Sequence, residues 1–423
     1  MRSTTLKFGL PSPTYTYGRL FLTMLCLGLV VTACEPDEAD QPEHPIHPVS
    51  EFIPYYDNDH VVVDGGPSVD ALVDVPQPIR LLSDYLDDPE SVDARELQTF
   101  VSESPWEFRV RAIDKHRLIM VALLHYAELE RRMEEYDARL VEYDLRTDAY
   151  VNHADEEPDI GHLEQITDIK LRDAALSVAH MPQEISHFDC TSAPCVCDRT
   201  GTFRERQVVL SPRALVPVTD STIAVFSPRP ITRGLSFAEH YADIVKVFDE
   251  EYNQVKAFGS TYNGPRNAYN LWFVRYIGLE HSEEADHFAV TIRKLPYLYT
   301  YDGEGRLQAS YQFDAAVEPM IEDTGRDGIH QRYTFLERNP RRSYYLLTEM
   351  DGLAVVVRES IEREDLDDEE ATYQYDYHAI DLANQEVYHI GSDTYVGTQE
   401  RLVFVTEAGL VLHDGATLQF MGL

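Results

Sequence analysis

From about residue 105 to residue 423, apolar positions come in short alternating runs separated by turn chemistry. A period of two predicts strands with one face buried. Six of these runs end on an aspartate: RLVEYD at Asp144, EISHFD at Asp189, IVKVFD at Asp249, YLYTYD at Asp302, YHAID at Asp381 and LVLHD at Asp414. A second, upstream series keeps step with them. Asp114, Asp173, Asp220, Asp286 and Asp351 each stand between two short runs, and Gln399 in TQERLVFV takes the same place in the last unit. An aspartate that opens a tight turn accepts nearby backbone N–H groups, so both series read as turn formers rather than catalytic carboxylates.

One unit is therefore strand, Asp-turn, strand, connection, strand, Asp-turn, strand. Four antiparallel strands repeated six times predict an all-β fold, a six-bladed β-propeller over residues 105–423. Each small sheet buries its faces only against its neighbours. The two series are 30, 16, 29, 16, 30 and 15 residues apart in successive units. The connection between second and third strands is thus expected to be long in blades one, three and five and short in the others. LPYLYTYDGEGRLQASYQF (295–313) and LVFVTEAGLVLHDGATLQF (402–420) resemble blades of the NHL/TolB-like six-bladed propellers found in bacterial lipoproteins. That resemblance implies an architecture and little about activity, since such propellers include binding scaffolds, lyases, lactonases and other hydrolases.

The N-terminal pattern is different. Arg2, Lys7 and Arg19 precede an apolar stretch from Leu20 to Val31 that is too short to span a bilayer and suits a secretory signal. It ends in Val31-Thr32-Ala33-Cys34, which resembles a bacterial lipobox with Cys34 as the site of lipid attachment. Residues 1–33 are read as a lipoprotein signal peptide, and residues 34–50, acidic and Pro-rich, as a disordered tether. Residues 51–104 form an N-terminal segment that could pack on the propeller, with a strand in VVVDGG (61–66) and a short helix in PESVDARELQTFV (89–101).

Composition narrows the partners. Removing residues 1–33 takes away three basic side chains and no acidic one, so the mature chain keeps 74 acidic against 33 basic groups. Nucleic acid is excluded as a partner, and contact with the membrane is expected through the lipid alone. Glu35 follows the lipid site, where aspartate favours inner-membrane retention in enteric bacteria. The expected place is therefore the cell envelope, at the outer membrane and facing periplasm or surface.

Arginines near aromatics stand out against this acidic background. PRPITRGLSFAEH (228–240) carries Arg229, Arg233 and His240, and GSTYNGPRNAYNLW (259–272) adds Tyr262, Arg266, Tyr269 and Trp272. Arg233 and Arg266, with Tyr262 and Trp272 as flat contacts, are the candidates for a small anionic or sugar-like ligand, because guanidinium forks match carboxylate and phosphate. The competing reading is arginines paired with surplus carboxylates. ESIEREDLDDEE (359–370) holds eight carboxylates. It lacks the spacing of a calcium loop and reads as a solvated charge run. Cys190, Cys195 and Cys197, near His180 and His187, could hold zinc, but an exported setting favours one disulfide from Cys190 to Cys195 or Cys197. No cofactor is expected, with calcium or zinc the alternative.

The function expected from these features is an envelope lipoprotein whose propeller binds a protein, glycan or small anionic ligand. The alternative is a propeller hydrolase or lyase with a metal or His/Arg/Tyr site at the channel mouth. No G-x-S-x-G, H-E-x-x-H or P-loop spacing favours the enzyme.

Overall fold

The turn aspartates organise the strands in two distinct ways. Asp173, Asp286 and Asp351 adopt left-handed backbone conformations, with φ of 51°, 47° and 51°. Aspartate tolerates that region better than most residues. Asp144, Asp189, Asp249 and Asp381 instead turn the side chain back onto the chain, accepting the N–H two residues on at 2.9, 2.9, 3.0 and 3.0 Å. Asp302 accepts the N–H of Arg306, four residues on, at 2.8 Å. The guanidinium and N–H of Arg146 hold the Asp144 carboxyl down at about 2, and backbone N–H donors lower Asp189, Asp249 and Asp302 in the same sense. These groups are anchored as ionised caps, as the turn-former reading expects.

The computed structural model describes residues 45–48, 61–62, 75–97, 106–114, 116–124, 138–152, 166–180, 184–192, 195–202, 204–205, 208–209, 214–219, 221–226, 245–259, 268–269, 277–282, 286–293, 295–312, 320–327, 330–335, 342–362, 370–397, 401–414 and 417–422. By its contacts the chain divides into Met1–Pro45 and Ile46–Leu423, and every described strand and helix belongs to the second unit.

In chain order, β1 (Ile46–Pro48), β2 (Val61–Val62), α1 (Gln77–Asp87) and β3 (Arg95–Glu96) precede the first complete blade. Blade one is β4 (Trp106–Asp114), β5 (Arg117–Leu124), β6 (Ala138–Asp144) and β7 (Ala149–Asn152). Blade two is β8 (Ile166–Arg172), β9 (Ala175–His180), β10 (Glu184–Asp189) and β11 (Val196–Thr202). After the short pair β12 (Arg204–Glu205) and β13 (Val208–Val209) comes blade three, with β14 (Ala214–Thr219), β15 (Thr222–Phe226), β16 (Val245–Phe248) and β17 (Gln254–Phe258). Beyond β18 (Ala268–Tyr269), blade four is β19 (Ile277–Ser282), β20 (His287–Ile292), β21 (Tyr297–Asp302) and β22 (Leu307–Gln312). The hairpin β23 (Met320–Asp327) and β24 (His330–Phe335) leads to blade five, which is β25 (Arg342–Met350), β26 (Leu353–Glu362), β27 (Ala371–Asp381) and β28 (Glu386–Gly397). Blade six has β29 (Leu402–Thr406), β30 (Gly409–Asp414) and β31 (Thr417–Gly422).

Each blade is an antiparallel meander, and the innermost strands β4, β8, β14, β19, β25 and β29 touch in cyclic order. That is a closed six-bladed propeller. Its sixth blade corrects the sequence reading. The run around Gln399 does not open that blade, since β29 is its first strand and the preceding run belongs to the twelve-residue β28. Gln399 itself lies outside the described residues. The fourth strand is β3, antiparallel to β31 with Arg95 opposite Phe420 and Glu96 opposite Gln419. The ring thus takes in residues ahead of 105, so both ends of the domain meet in one sheet.

The rest of the N-terminal segment follows the outer rim. β2 adds to β22 of blade four in parallel. The helix lies upstream of the stretch expected to form one, over residues 77–87, where Pro78 suits the first turn and Ile79, Leu82 and Tyr85 share one face. Those three and Val75 join a core with Tyr375, Tyr388, Val405 and Leu410 of blades five and six. Full burial of Ile79 and Leu82 stabilises the rim by roughly 1.5–3 kcal/mol each. Ile46–Pro48, read from sequence as tether, is strand β1 paired with Met320–Glu322.

Because successive strands alternate in direction, the second-to-third connections and the blade-to-blade crossovers open on one face, and the first-to-second and third-to-fourth turns on the other. Asp414, expected to join third and fourth strands, joins the second and third strands of blade six and so opens on the crossover face. The crossover face carries the additions: the pair β12–β13, and a four-stranded sheet in the order β1-β23-β24-β18. The long second-to-third connections fall in blades one, three and five, as the spacing of the two series predicts.

Leu97, 3% exposed beside the closing strand, donates its N–H to Leu418 O at 2.8 Å and packs on Val110 and Phe420. Leu97→Ala is expected to cost about 2–5 kcal/mol in urea denaturation. Ile46→Ala, on exposed β1, should cost no more than about 0.5 kcal/mol. Equal losses for the two would mean that ring closure is not the stabilising contact.

Candidate functional site

Arg229, Arg233, His240, Tyr262, Arg266 and Trp272 lie outside the described residues, as does Cys34. Of that group's surroundings the structure describes Ala268–Tyr269, the strand β18 that pairs in parallel with Gln331–Arg332. The described chemistry is concentrated elsewhere, in three places.

The first is the axis of the ring. The strands RVRAID, DIKLR, GLEHS and LLTEM each put a charge where an apolar residue would continue the core: Arg111, Lys170, Glu280 and Glu349. They come from the innermost strands of blades one, two, four and five. Glu280 forms an ion pair with Lys170 and stands 3.8 Å from Arg111. Blades one and four are opposite members of a six-fold ring, so the Arg111–Glu280 contact crosses the channel. Burial lowers the Lys170 ammonium, helped by the charge of Arg111 and opposed by Glu280 and Asp168. Asp168 accepts the Leu215 N–H of blade three at 2.9 Å. Glu349 accepts the Gly352 N–H at 2.8 Å, yet burial and the nearby Glu280 push its carboxyl up to about 7. Sequence reading missed this cluster because each charge is isolated in its own strand. The legible signal is its recurrence near one level of the inner strands, close to the Asp-turns.

The second is the seam between blades one and two. Cys190 and Cys195 form a disulfide, and Cys197 stays outside it. Arg117 donates to Asp114 at 2.8 Å, to the buried Glu142 at 3.3 Å and to Cys190 O at 3.0 Å. Glu142 in turn accepts the Cys195 N–H at 2.9 Å. The disulfide loop of one blade is thereby docked on an ion pair of its neighbour. His180 and His187, the nitrogen donors of the zinc reading, hydrogen-bond Ser186 at 2.9 Å and Ser177 at 3.0 Å.

The third is blade five, whose strands are the longest in the ring. Three of its tyrosines line one side of β27, with Tyr373 and Tyr375 stacked at 6.3 Å and Tyr375 and Tyr377 6.4 Å apart. On the other side Arg358 pairs with Asp376, and Ser392 donates to the same carboxylate at 2.6 Å. His389 Nε2 is 3.1 Å from Ser392 Oγ. The acidic run 359–370 begins inside this blade. Glu359, expected as solvated, is 1% exposed and accepts from Tyr345 at 3.3 Å. As the side chains stand, no three His, Cys, Asp or Glu groups among the described residues converge as ready-made metal ligands.

The raised Glu349 carboxyl has a defined consequence for stability. The folded state holds this proton up to about pH 7, whereas the unfolded chain releases it near pH 4.3. Between these values the native state binds more protons, so stability falls as pH rises and the penalty is complete above pH 7. Glu349→Gln should therefore stabilise the protein at pH 8 by up to about 3 kcal/mol and change little at pH 4. Urea denaturation at both values tests this, and an equal effect at each would exclude the titration.

No family model matches the sequence, and no curated protein matches it. Among solved structures the chain is similar to a member of the DUF4221 family from Bacteroides vulgatus, at 10% identity with 78% of this chain and 96% of that chain covered and a TM-score of 0.49. It is similar to virginiamycin B lyase from Staphylococcus aureus at 8% identity, covering 78% and 99%, with a TM-score of 0.40. It is also similar to YCF48 from Cyanidioschyzon merolae at 7% identity, covering 78% and 98%, with a TM-score of 0.38. Likenesses at this level carry neither an activity nor a ligand over to this chain.

Proposed function

We propose that this chain is an envelope lipoprotein whose propeller is a binding module that takes its partner on the crossover face. The observation that carries this reading is the asymmetry of the ring. The described turns of the opposite face are short hairpins, several of them capped by their own aspartates, whereas the crossover face is enlarged by β12–β13 and by the four-stranded sheet β1-β23-β24-β18. Strands added outside the blades do nothing to close the ring, and they widen one face only.

The ligand candidates stand, in sequence, within two connections whose described ends open on that face. Arg229, Arg233 and His240 fall between β15 and β16, and Tyr262, Arg266 and Trp272 fall between β17 and β19. Two guanidinium groups beside aromatic rings, in a chain of net charge -38, favour a small anionic or sugar-like group carried by a glycan or protein of the envelope. Calorimetry with a panel of acidic oligosaccharides and sugar phosphates tests this. Arg233→Ala and Arg266→Ala should each weaken binding about tenfold to a hundredfold, with the melting temperature unchanged. Two variants that bind as tightly as the parent would remove the site.

Anchoring at the outer membrane through Cys34 rests on Val31-Thr32-Ala33-Cys34 and the Glu35 that follows it. Mass spectrometry should find a mature N-terminus at Cys34 bearing two or three acyl chains. Cys34→Ser should release the protein from membranes, and a variant that stays bound would refute the anchor.

A further inference from the structure

Four extended segments of this chain add to the edge of a strand formed far away in sequence: β1 on β23, β2 on β22, β3 on β31 and β18 on β24. The outer strands of blades four and six are occupied in this way. Along blade five the N-terminal segment runs as α1 instead, seated so closely that a Cβ on Gly391 would stand 3.0 Å from Leu86. Among the described residues no strand pairs with the outer side of β28, which continues past that contact as Ser392–Gly397.

The other open outer strands are poorer edges. β7 has four residues, and β11 and β17 are each interrupted by a bulge, at Asp198 and Val255. A bulge twists an edge away from further pairing. The bulge of β28, at Ile390, precedes Ser392 and leaves Ser392–Gly397 in unbroken register with Ala371–Asp376. Thr394 donates its N–H to Asp393 Oδ1 at 2.8 Å, so this donor points away from β27. Backbone groups alternate along a strand, and Ser392 and Val396 therefore present theirs to the same open side. All three side chains are exposed, that of Val396 by 60%. Glu362 lies in one row with Thr372 and Val396 across three strands, and Glu370 directly precedes Ala371, the partner of Gly397. Both glutamates are exposed, and the sequence between them is acidic.

We propose that Ser392–Gly397 is a docking edge that takes an extended segment of a partner protein, bearing lysine or arginine, as a fifth strand of blade five. Ser392, Thr394 and Val396 supply the backbone ladder, Val396 the apolar contact, and Glu362 and Glu370 the charge that selects a basic segment. The Asp393 carboxylate, held by Arg401 at 2.9 Å, covers one edge donor until a partner carbonyl replaces it, and so guards the open edge. A second copy of this chain is disfavoured as the occupant, because two chains of net charge -38 would bring their acidic ends together. The edge is distinct from the segments that carry Arg233 and Arg266 and needs neither.

The test is fluorescence anisotropy of a labelled peptide of alternating lysine and valine, titrated with the full-length chain. Thr394→Pro removes an edge donor and blocks the open side while sparing the ladder to β27, so the melting temperature should hold. The expected result is saturable binding by the parent, by Arg233→Ala and by Arg266→Ala. Affinity should fall at least about tenfold for Thr394→Pro, for Val396→Lys and for a peptide with glutamate in place of lysine. If Thr394→Pro melts early, Val396→Lys, which changes one exposed side chain, decides the matter. No saturable binding by the parent, undiminished binding by Val396→Lys or equal affinity for the glutamate peptide would each overturn the edge. So would loss of binding in Arg233→Ala, or a parent dimer in sedimentation that Val396→Lys dissolves.

Discussion

Closure of the ring is the constraint on which the rest of this structure depends. Six twisted sheets that bury their faces against one another leave no free face only if the sixth meets the first. Here the sixth has three strands of its own, and the missing outer strand is two residues long, Arg95–Glu96. Two ladder residues are a weak bond in isolation. Leu97 supplements them, buried between blades six and one, and α1 does the same with its apolar face against blades five and six. The N-terminal segment therefore acts as a belt along the outer rim from blade four to blade six. It ends by entering blade one directly. Any opening of the ring must first strip this belt, which ties two distant parts of the chain into one cooperative unit.

The axis shows a second way of holding opposite blades. A protein of net charge -38 repels itself, and its few cations are placed accordingly. Lys170, one of the six lysines of the chain, sits in the channel with Arg111 against Glu280. Removing one partner of a buried pair costs on the order of 3–5 kcal/mol, because the other charge is left uncompensated. The pair is thus stronger as a brace than as a net source of stability. Glu349 lies beside this brace and resists ionisation, which spares the axis a further negative charge at acidic pH. At the seam of blades one and two Arg117 and Glu142 play a comparable part, neutralising each other while gripping the disulfide loop through Cys190 and Cys195.

These braces leave the two faces of the ring with different tasks. The Asp-turn face is largely self-satisfied: Asp144, Asp189, Asp249 and Asp302 are held in the ionised form by donors of their own turns. The crossover face carries the extra strands and the long connections of blades one, three and five. Blade five extends furthest, and its tyrosine-lined side packs on the helix and on blade six. Its other side carries the Arg358–Asp376–Ser392–His389 chain of polar contacts. Ion pairs brace the axis while the additions lie on one face, so the groups that hold the ring together are separate from the strands added to it.

What the sequence determined by itself is whatever depends on neighbours along the chain. Strand alternation, the two aspartate series and the 30/16 spacing are local properties, and they sufficed for the architecture, the turn roles and the long connections of blades one, three and five. The Val31–Cys34 motif and the Arg–Tyr–Trp segments are local in the same sense, and they support the address and ligand readings without reference to the fold. What only the tertiary structure decided involves residues far apart in sequence. The sixth blade departs from the repeat because its outer strand comes from residues 95–96, more than three hundred residues before its sheet partners in β31, and because the second half of β28 looks like a separate strand. The helix lies upstream of the stretch expected to form one because the face formed by Ile79, Leu82 and Tyr85 has meaning only against blades five and six. The axial charges and the Arg358–Asp376–Ser392 contacts were invisible for the same reason. Each residue is unremarked in its own strand and acquires a partner only when the strands are brought side by side.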